Sequence, residues 1–191
     1  RRARLHQLQP GRAFDLLLGD DFLIKENRVR LLNHLRKTRY GLVIVSPPCI
    51  LFSALQYLAL GKSKASLTED VVYQVKLRKA IKLLHFAIEI CELQQELEQR
   101  FIFEHPWGAS SWTDIKLGQL LGKRGVMIAR GTSAVLNCAM RSAYLFVRGL
   151  ALLRTASTSL RPLIYKARAT MPMLMLLARR RFEQPNIRTP W

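Results

Sequence analysis

Apolar positions along this chain fall into two kinds of pattern, short unbroken runs and longer stretches spaced at three and four, and the two kinds alternate. Residues 13–18 are a short run, apolar but for Asp15, closed by Gly19-Asp20-Asp21, which predicts a strand followed by a turn. Residues 26–39 carry Val29, Leu32 and Leu35 with basic residues between them, the spacing of a helix. Residues 41–45 form a continuous apolar run, the mark of a strand buried on both faces. It stops at Ser46-Pro47-Pro48, where missing amide protons end any ladder. A long helix is predicted over residues 68–99, with Leu77, Ile81, Leu84, Ile88 and Cys91 on one stripe and Thr68 at the capping position. Residues 100–103 predict a second buried strand that runs into Glu104-His105-Pro106, and residues 126–129 a third. Strand, helix, strand, helix, strand at these lengths predicts an α/β fold, a parallel sheet of the doubly wound type.

Composition narrows the setting. The 191 residues suffice for one ordinary domain, or one with an appendage, and a 49% hydrophobic content excludes wholesale disorder. Lys and Arg number 31 against 13 Asp and Glu, a net charge of +18 that favours a polyanion such as nucleic acid. Cys49, Cys91 and Cys138 are too few and too scattered for a disulfide framework or a four-ligand zinc site. No metal is expected, and the simplest setting is a reducing, intracellular one, nucleus or cytoplasm. The longest apolar stretch falls far short of the roughly 20 residues of a membrane span, so no membrane partner is expected. The chain opens at Arg1 without a signal-like apolar run.

In open α/β sheets the reactive groups collect just beyond the carboxyl ends of adjacent strands. Cys49 follows one predicted strand through a Pro-Pro pair, and Glu104 ends the next, so a thiol and a carboxyl group can face one ligand. A lone cysteine more often serves as a small hydrophobe, and a glutamate at a strand end more often caps or pairs. Trp107 and Trp112 either stack on a base or pack over the sheet edge. His85 and Cys91 lie on the long helix and are assigned to structure. The bases of residues 25–39 either track phosphates or form a solvated face.

Ser46-Pro47-Pro48-Cys49 with Phe52-Ser53, followed by Phe103-Glu104-His105-Pro106, resembles the Pro-Pro-Cys and Glu-Asn-Val elements of cytosine-5 DNA methyltransferases. The wider string over residues 11–131 more closely resembles a methyltransferase-like domain of protist retroelement polyproteins. The resemblance implies a Rossmann-like, class I methyltransferase-like fold, incomplete at the N-terminus because no Gly-rich cofactor turn lies upstream of Gly11. It implies Cys49 as the nucleophile that adds to C6 of a flipped-out cytosine, and Glu104 as the acid that holds the ring. Pro47, Pro48, Ser53, His105 and Trp107 are the implied substrate contacts. S-adenosylmethionine is the implied cofactor, with Asp15, Asp20 or Asp21 placed to meet its ribose or adenine, and the residues leave that choice open. The partner is nucleic acid, DNA before RNA. An activity of this kind in a truncated or inactive copy is one expectation; a non-catalytic, nucleic-acid-associated piece of a retroelement polyprotein is the other.

The charge pattern changes after Gly131. Only Glu183 among the 13 acids lies beyond it, with 10 of the 31 bases, and clean periodicity is lost. Two units are therefore expected: residues 1–131, a partial α/β domain, and residues 132–191, an irregular or helical basic tail. Residues 132–139 can be encoded so that a one-base shift yields Asp-Gln-Cys-Arg-Phe-Glu-Leu-Arg, and Asp-Gln-Cys is what the resembling domains show there. Arg179-Arg180-Arg181 reads as a nuclear-import or RNA-binding patch; on the expectation that the tail is out of frame and poorly ordered, it carries no function.

Overall fold

The computed structural model describes residues 8–53, 69–132, 141–147 and 174–180. In chain order the elements are β1 (Leu8–Phe14), α1 (Lys25–Thr38), β2 (Leu42–Ser46), α2 (Val71–Glu96), β3 (Arg100–Pro106), α3 (Ile115–Gly122), β4 (Val126–Thr132), β5 (Arg141–Val147) and β6 (Leu174–Arg180). The strands form one sheet in the order β1-β6-β2-β3-β5-β4. β2 and β3 pair in parallel, from Leu42 opposite Arg100 to Val45 opposite Phe103. Every other pairing is antiparallel. It follows that β1, β2, β3 and β4 all run in one sense, and that β5 and β6 run against them.

The α/β alternation is therefore present, but only one parallel pair is. Periodicity reports the direction of burial within a strand and not which strands become neighbours, and here β6 and β5 separate strands that would otherwise adjoin. Both of those strands come from the last sixty residues, so the expected break at Gly131 does not divide the sheet. Two stretches of the segment expected to be irregular or helical are strands. Residues 133–140, with Cys138, and Arg181 lie outside the described residues.

The helices occupy one face. β1, β2, β3 and β4 advance across the sheet in a single direction, and right-handed crossovers between strands that advance one way put every connecting helix on the same side. Leu31, Leu32 and Leu35 of α1, Leu84, Ala87 and Cys91 of α2, and Leu117 and Leu120 of α3 join Val43, Val45, Phe101 and Phe103 in one buried cluster. Phe22, just before α1, meets Phe86 of α2 with ring centres 5.2 Å apart. A doubly wound arrangement, with helices on both faces, is thus not what the described residues form. Leu42, Ile44 and Ile102 are buried too, but stand outside this cluster, as the two-residue alternation of a strand requires.

Local chemistry explains where the elements start and stop. The apolar run at residues 13–18 is not one strand: β1 ends at Phe14, and Leu16–Leu18 is a turn of 3-10 helix. The Asp15 carboxylate accepts from the Leu17 amide at 2.8 Å, and Gly19 closes the turn at φ 85°, a left-handed conformation that suits glycine. α1 follows its predicted range, but Val29 lies exposed while Leu31 joins the core in its place. α2 starts three residues later than expected, because Asp70 caps it by accepting from the Tyr73 amide at 3.0 Å; Thr68 lies outside the described residues. At the far end of α2 the buried Gln94 donates to the carbonyls of Tyr40 and Arg100, 3.2 Å each, which ties the helix to the starts of β2 and β3. Cys91 is fully buried, and burial, aided by the nearby Glu92 charge, raises its thiol pKa, the state of an inert core cysteine. No helix among the described residues is long and apolar enough to cross a membrane.

Candidate functional site

Four strands of one sense bring their carboxyl ends to one edge of the sheet. The residues delivered there are Asp15 after β1, Ser46-Pro47-Pro48-Cys49 at the end of β2, and Glu104-His105-Pro106 at the end of β3. Register fixes their levels. Val45 is paired with Phe103, so the next residues, Ser46 and Glu104, stand side by side on one face, and Cys49 follows three residues on. Ser46 and Glu104 share the face of Leu42, Ile44 and Ile102, away from the helices.

Cys49 is held in a short, braced turn. Pro47 is buried and Pro48 half-buried, and Cys49 opens a turn of 3-10 helix, Ile50–Phe52, whose Phe52 amide donates to the Cys49 carbonyl at 3.0 Å. The turn is tied down twice. Tyr73 in the first turn of α2 donates its hydroxyl to the Leu51 carbonyl at 3.4 Å, and the Ser110 hydroxyl donates to the Phe52 carbonyl at 3.3 Å. The Cys49 side chain is half-buried, as is Ser53, which ends the turn by donating its amide to the Ile50 carbonyl.

Glu104 and His105 adjoin in sequence and part in space. Glu104 is buried on the Ser46 face. His105 lies on the helical face, among the rings of Phe52, Phe103 and Trp112 at 5.7 to 5.9 Å. Its Nε2 is hydrogen-bonded to the Ser111 hydroxyl, while Nδ1 is buried without a partner. Desolvation pushes its pKa down to about 4, so the ring is neutral at physiological pH. The implied substrate contact is thus fully enclosed, and it does not share a face with Glu104. Trp107 is half-buried with its ring 6.4 Å from that of Trp112, whose indole nitrogen donates to the Pro106 carbonyl at 2.7 Å. Packing of these two rings over the strand end is the arrangement present.

The three aspartates separate by their tasks. Asp20 accepts from Arg12 in an exposed ion pair at 2.8 Å, and Asp21 accepts from the Leu23 amide at 2.9 Å. Asp15 is almost entirely buried, and only one of its carboxylate oxygens has a donor; Oδ2 has none. A buried acceptor without a donor is costly unless a ligand supplies one. Ser46 Oγ is a second buried polar atom at this edge with no partner.

Some of this architecture escaped sequence reasoning. Ser46 could have been found from strand alternation, since it is the first position past Val45 on the opposite face. Ser111 gave no signal, because a serine pair before a tryptophan reads as loop. Asp114 did carry one: it stands just before the apolar start of α3, caps it through the Lys116 and Leu117 amides, and pairs with His85 at 2.8 Å. Partial burial alone would raise its pKa, but the His85 hydrogen bond, those two amides and the His85 charge outweigh it and hold the carboxyl low. His85 thereby has the structural task expected of it. Among the described residues no group of three His, Cys, Asp or Glu side chains is placed to hold a metal ion. No known family model matches this chain, and neither a curated protein nor a solved structure matches it.

Proposed function

We propose that the carboxyl edge of β1, β2 and β3 is the site of a Rossmann-like, cytosine-5 methyltransferase-like domain that acts on nucleic acid. The observation that carries this reading is the register of β2 and β3, which levels Ser46 with Glu104, with Cys49 three residues further along the chain in the 3-10 turn that follows β2. β5 and β6 are interior antiparallel strands, so this reading rests on the β2–β3 pair, where the parallel pairing is kept.

The chemistry needs a nucleophile and an acid on one ring. The Cys49 thiolate would add to C6 of a cytosine, which makes C5 nucleophilic enough to take a methyl group, while Glu104 would hold N3 and stabilise the adduct; once C5 carries the methyl group, loss of its proton to a base lets the C6–S bond break and the thiolate leave. Ser46 Oγ supplies a further polar contact on the Glu104 face. The methyl group would come from S-adenosylmethionine, and the donor-less Oδ2 of Asp15 suits a hydroxyl or amino group of such a cofactor.

A second reading rests on the net charge of +18: a non-catalytic nucleic-acid-binding piece of a retroelement polyprotein. Oligonucleotides that contain 5-fluorocytosine separate the two, because the fluorine cannot leave as a proton does and the adduct is trapped. With S-adenosylmethionine present, the catalytic reading expects a covalent band on a denaturing gel that Cys49→Ala abolishes. An adduct that survives Cys49→Ala removes Cys49 from the mechanism. No adduct, together with binding that falls steeply with salt, selects the second reading.

A further inference from the structure

We infer that the outer faces of α1 and of the first half of α2 form one phosphate-binding surface for a nucleic acid backbone. This surface is separate from the strand ends and does not depend on the chemistry of Cys49. Five bases carry it: Arg30 and Lys37 on α1, and Arg78, Lys79 and Lys82 on α2. All five are exposed, and none is ion-paired with a described residue. The two helices pack side by side on the same face of the sheet, as the Phe22–Phe86 contact and their shared core cluster require. Packed helices lie about 8–10 Å apart, so the two rows of bases form one surface.

The order of charges along α2 argues against a merely solvated face. Residues 71–88 hold four bases and no acid, whereas Glu89, Glu92 and Glu96 all fall in the last part of the helix. A helix dipole favours the opposite arrangement, acids toward the N-terminus and bases toward the C-terminus. Apart from Glu69 and the capping Asp70 just before it, the charges of α2 are therefore not arranged for the stability of the helix. They are arranged in space: α2 leads from the end of β2 to the start of β3, so its basic half lies toward the carboxyl edge of the sheet and its acidic half toward the opposite edge. A polyanion on this surface is drawn toward the edge that carries Cys49 and Glu104. Among the large apolar side chains exposed on these faces are valines only, Val29, Val71, Val72 and Val75, without the aromatic or leucine side chains that anchor a helix in a bilayer interface. The chemistry recognised is the repeated phosphodiester, common to DNA and RNA.

The test measures binding of the full chain to a fluorescent 30-base-pair DNA duplex and to single-stranded RNA of equal length across a salt series. Each base that contacts a phosphate contributes about 1 to the slope of log affinity against log salt. The variant Arg30→Gln/Lys37→Gln/Arg78→Gln/Lys82→Gln is expected to lower that slope by about 3 to 4 and to weaken binding at least about tenfold at low salt. The single variants Lys37→Gln and Lys82→Gln lower it by about 1 each and carry the same test without a four-site change. A control, Lys116→Gln/Arg124→Gln, removes exposed bases outside the two helices and keeps the original slope. Loss on one of the two nucleic acids alone identifies which backbone the surface fits. An unchanged slope in the four-site variant, an equal loss in the control, or preferential binding to phosphatidylserine vesicles overturns the proposal. A chain that binds in this way yet never traps 5-fluorocytosine retains this surface and loses the catalytic reading.

Discussion

The two faces of the β2–β3 pair are built from similar side chains and end differently. On the helical face Val43, Val45, Phe101 and Phe103 are wholly enclosed, and the row ends at His105, which is itself enclosed by Phe52, Phe103 and Trp112 and bonded to Ser111. On the other face Leu42, Ile44 and Ile102 lead to Ser46 and Glu104, and the Ser46 hydroxyl is buried without a partner. A polar group at the end of an apolar row can be satisfied by the protein or held for something else. The helical face takes the first course with His105 Nε2, though Nδ1 of the same ring is buried without a partner, and the opposite face leaves Ser46 Oγ open. The difference teaches where stability is stored and where chemistry can be spared for a ligand.

The largest effect that can break this comparison lies on the helical face. Phe103→Ala removes a fully buried ring and is expected to cost about 3–5 kcal/mol in chemical denaturation. A cost near zero would mean that the helical face is not the core. Acid comes next. An unfolded histidine titrates near 6.5, while His105 stays neutral down to about 4, so between these values the unfolded chain binds the extra proton. Stability therefore rises with pH across that window, and acidification from 6.5 to 4 should remove roughly 3 kcal/mol. Replacing His105 with Asn should flatten the denaturation midpoint against pH there, and an unflattened profile would place the proton elsewhere.

Two serine-to-alanine changes then sharpen the contrast, one on each face. Ser111→Ala leaves His105 Nε2 buried without its partner and should cost about 1–3 kcal/mol by the same denaturation measurement. Ser46→Ala deletes a hydroxyl that already lacks a partner and should change stability by less than about 1 kcal/mol, in the stabilising direction if at all. It should nonetheless reduce 5-fluorocytosine trapping, because the hydroxyl is assigned to the ligand. Equal costs for the two serines would erase the distinction between the faces.

Much of the scaffold was legible along the chain. The runs at residues 41–45 and 100–103 read as buried strands because both of their faces are apolar, and the Pro-Pro pair marks where the first must end. The stripe through Leu84, Ile88 and Cys91 reads as helix because only a 3.6-residue period brings those positions together. Cys49 and Glu104 could be set at strand ends for the same reason. What the chain did not disclose lies in the partners. Asp15 turned a six-residue run into a strand and a turn through one local hydrogen bond. β5 and β6 entered between the strands of the first half, because backbone pairing across a sheet follows no pattern in side-chain hydropathy.

For α1, β2, α2 and β3, amino-acid order alone determined which segments extend, which coil, and which residue types stand at their ends, since those follow from side-chain spacing and from missing or capped backbone groups. Tertiary structure alone decided that the helices share one face, that Ser46 stands level with Glu104, and that His105 is shut in while its neighbour turns away. Those outcomes depend on strand register and on the direction of each crossover, and both are settled only when distant segments pack against one another.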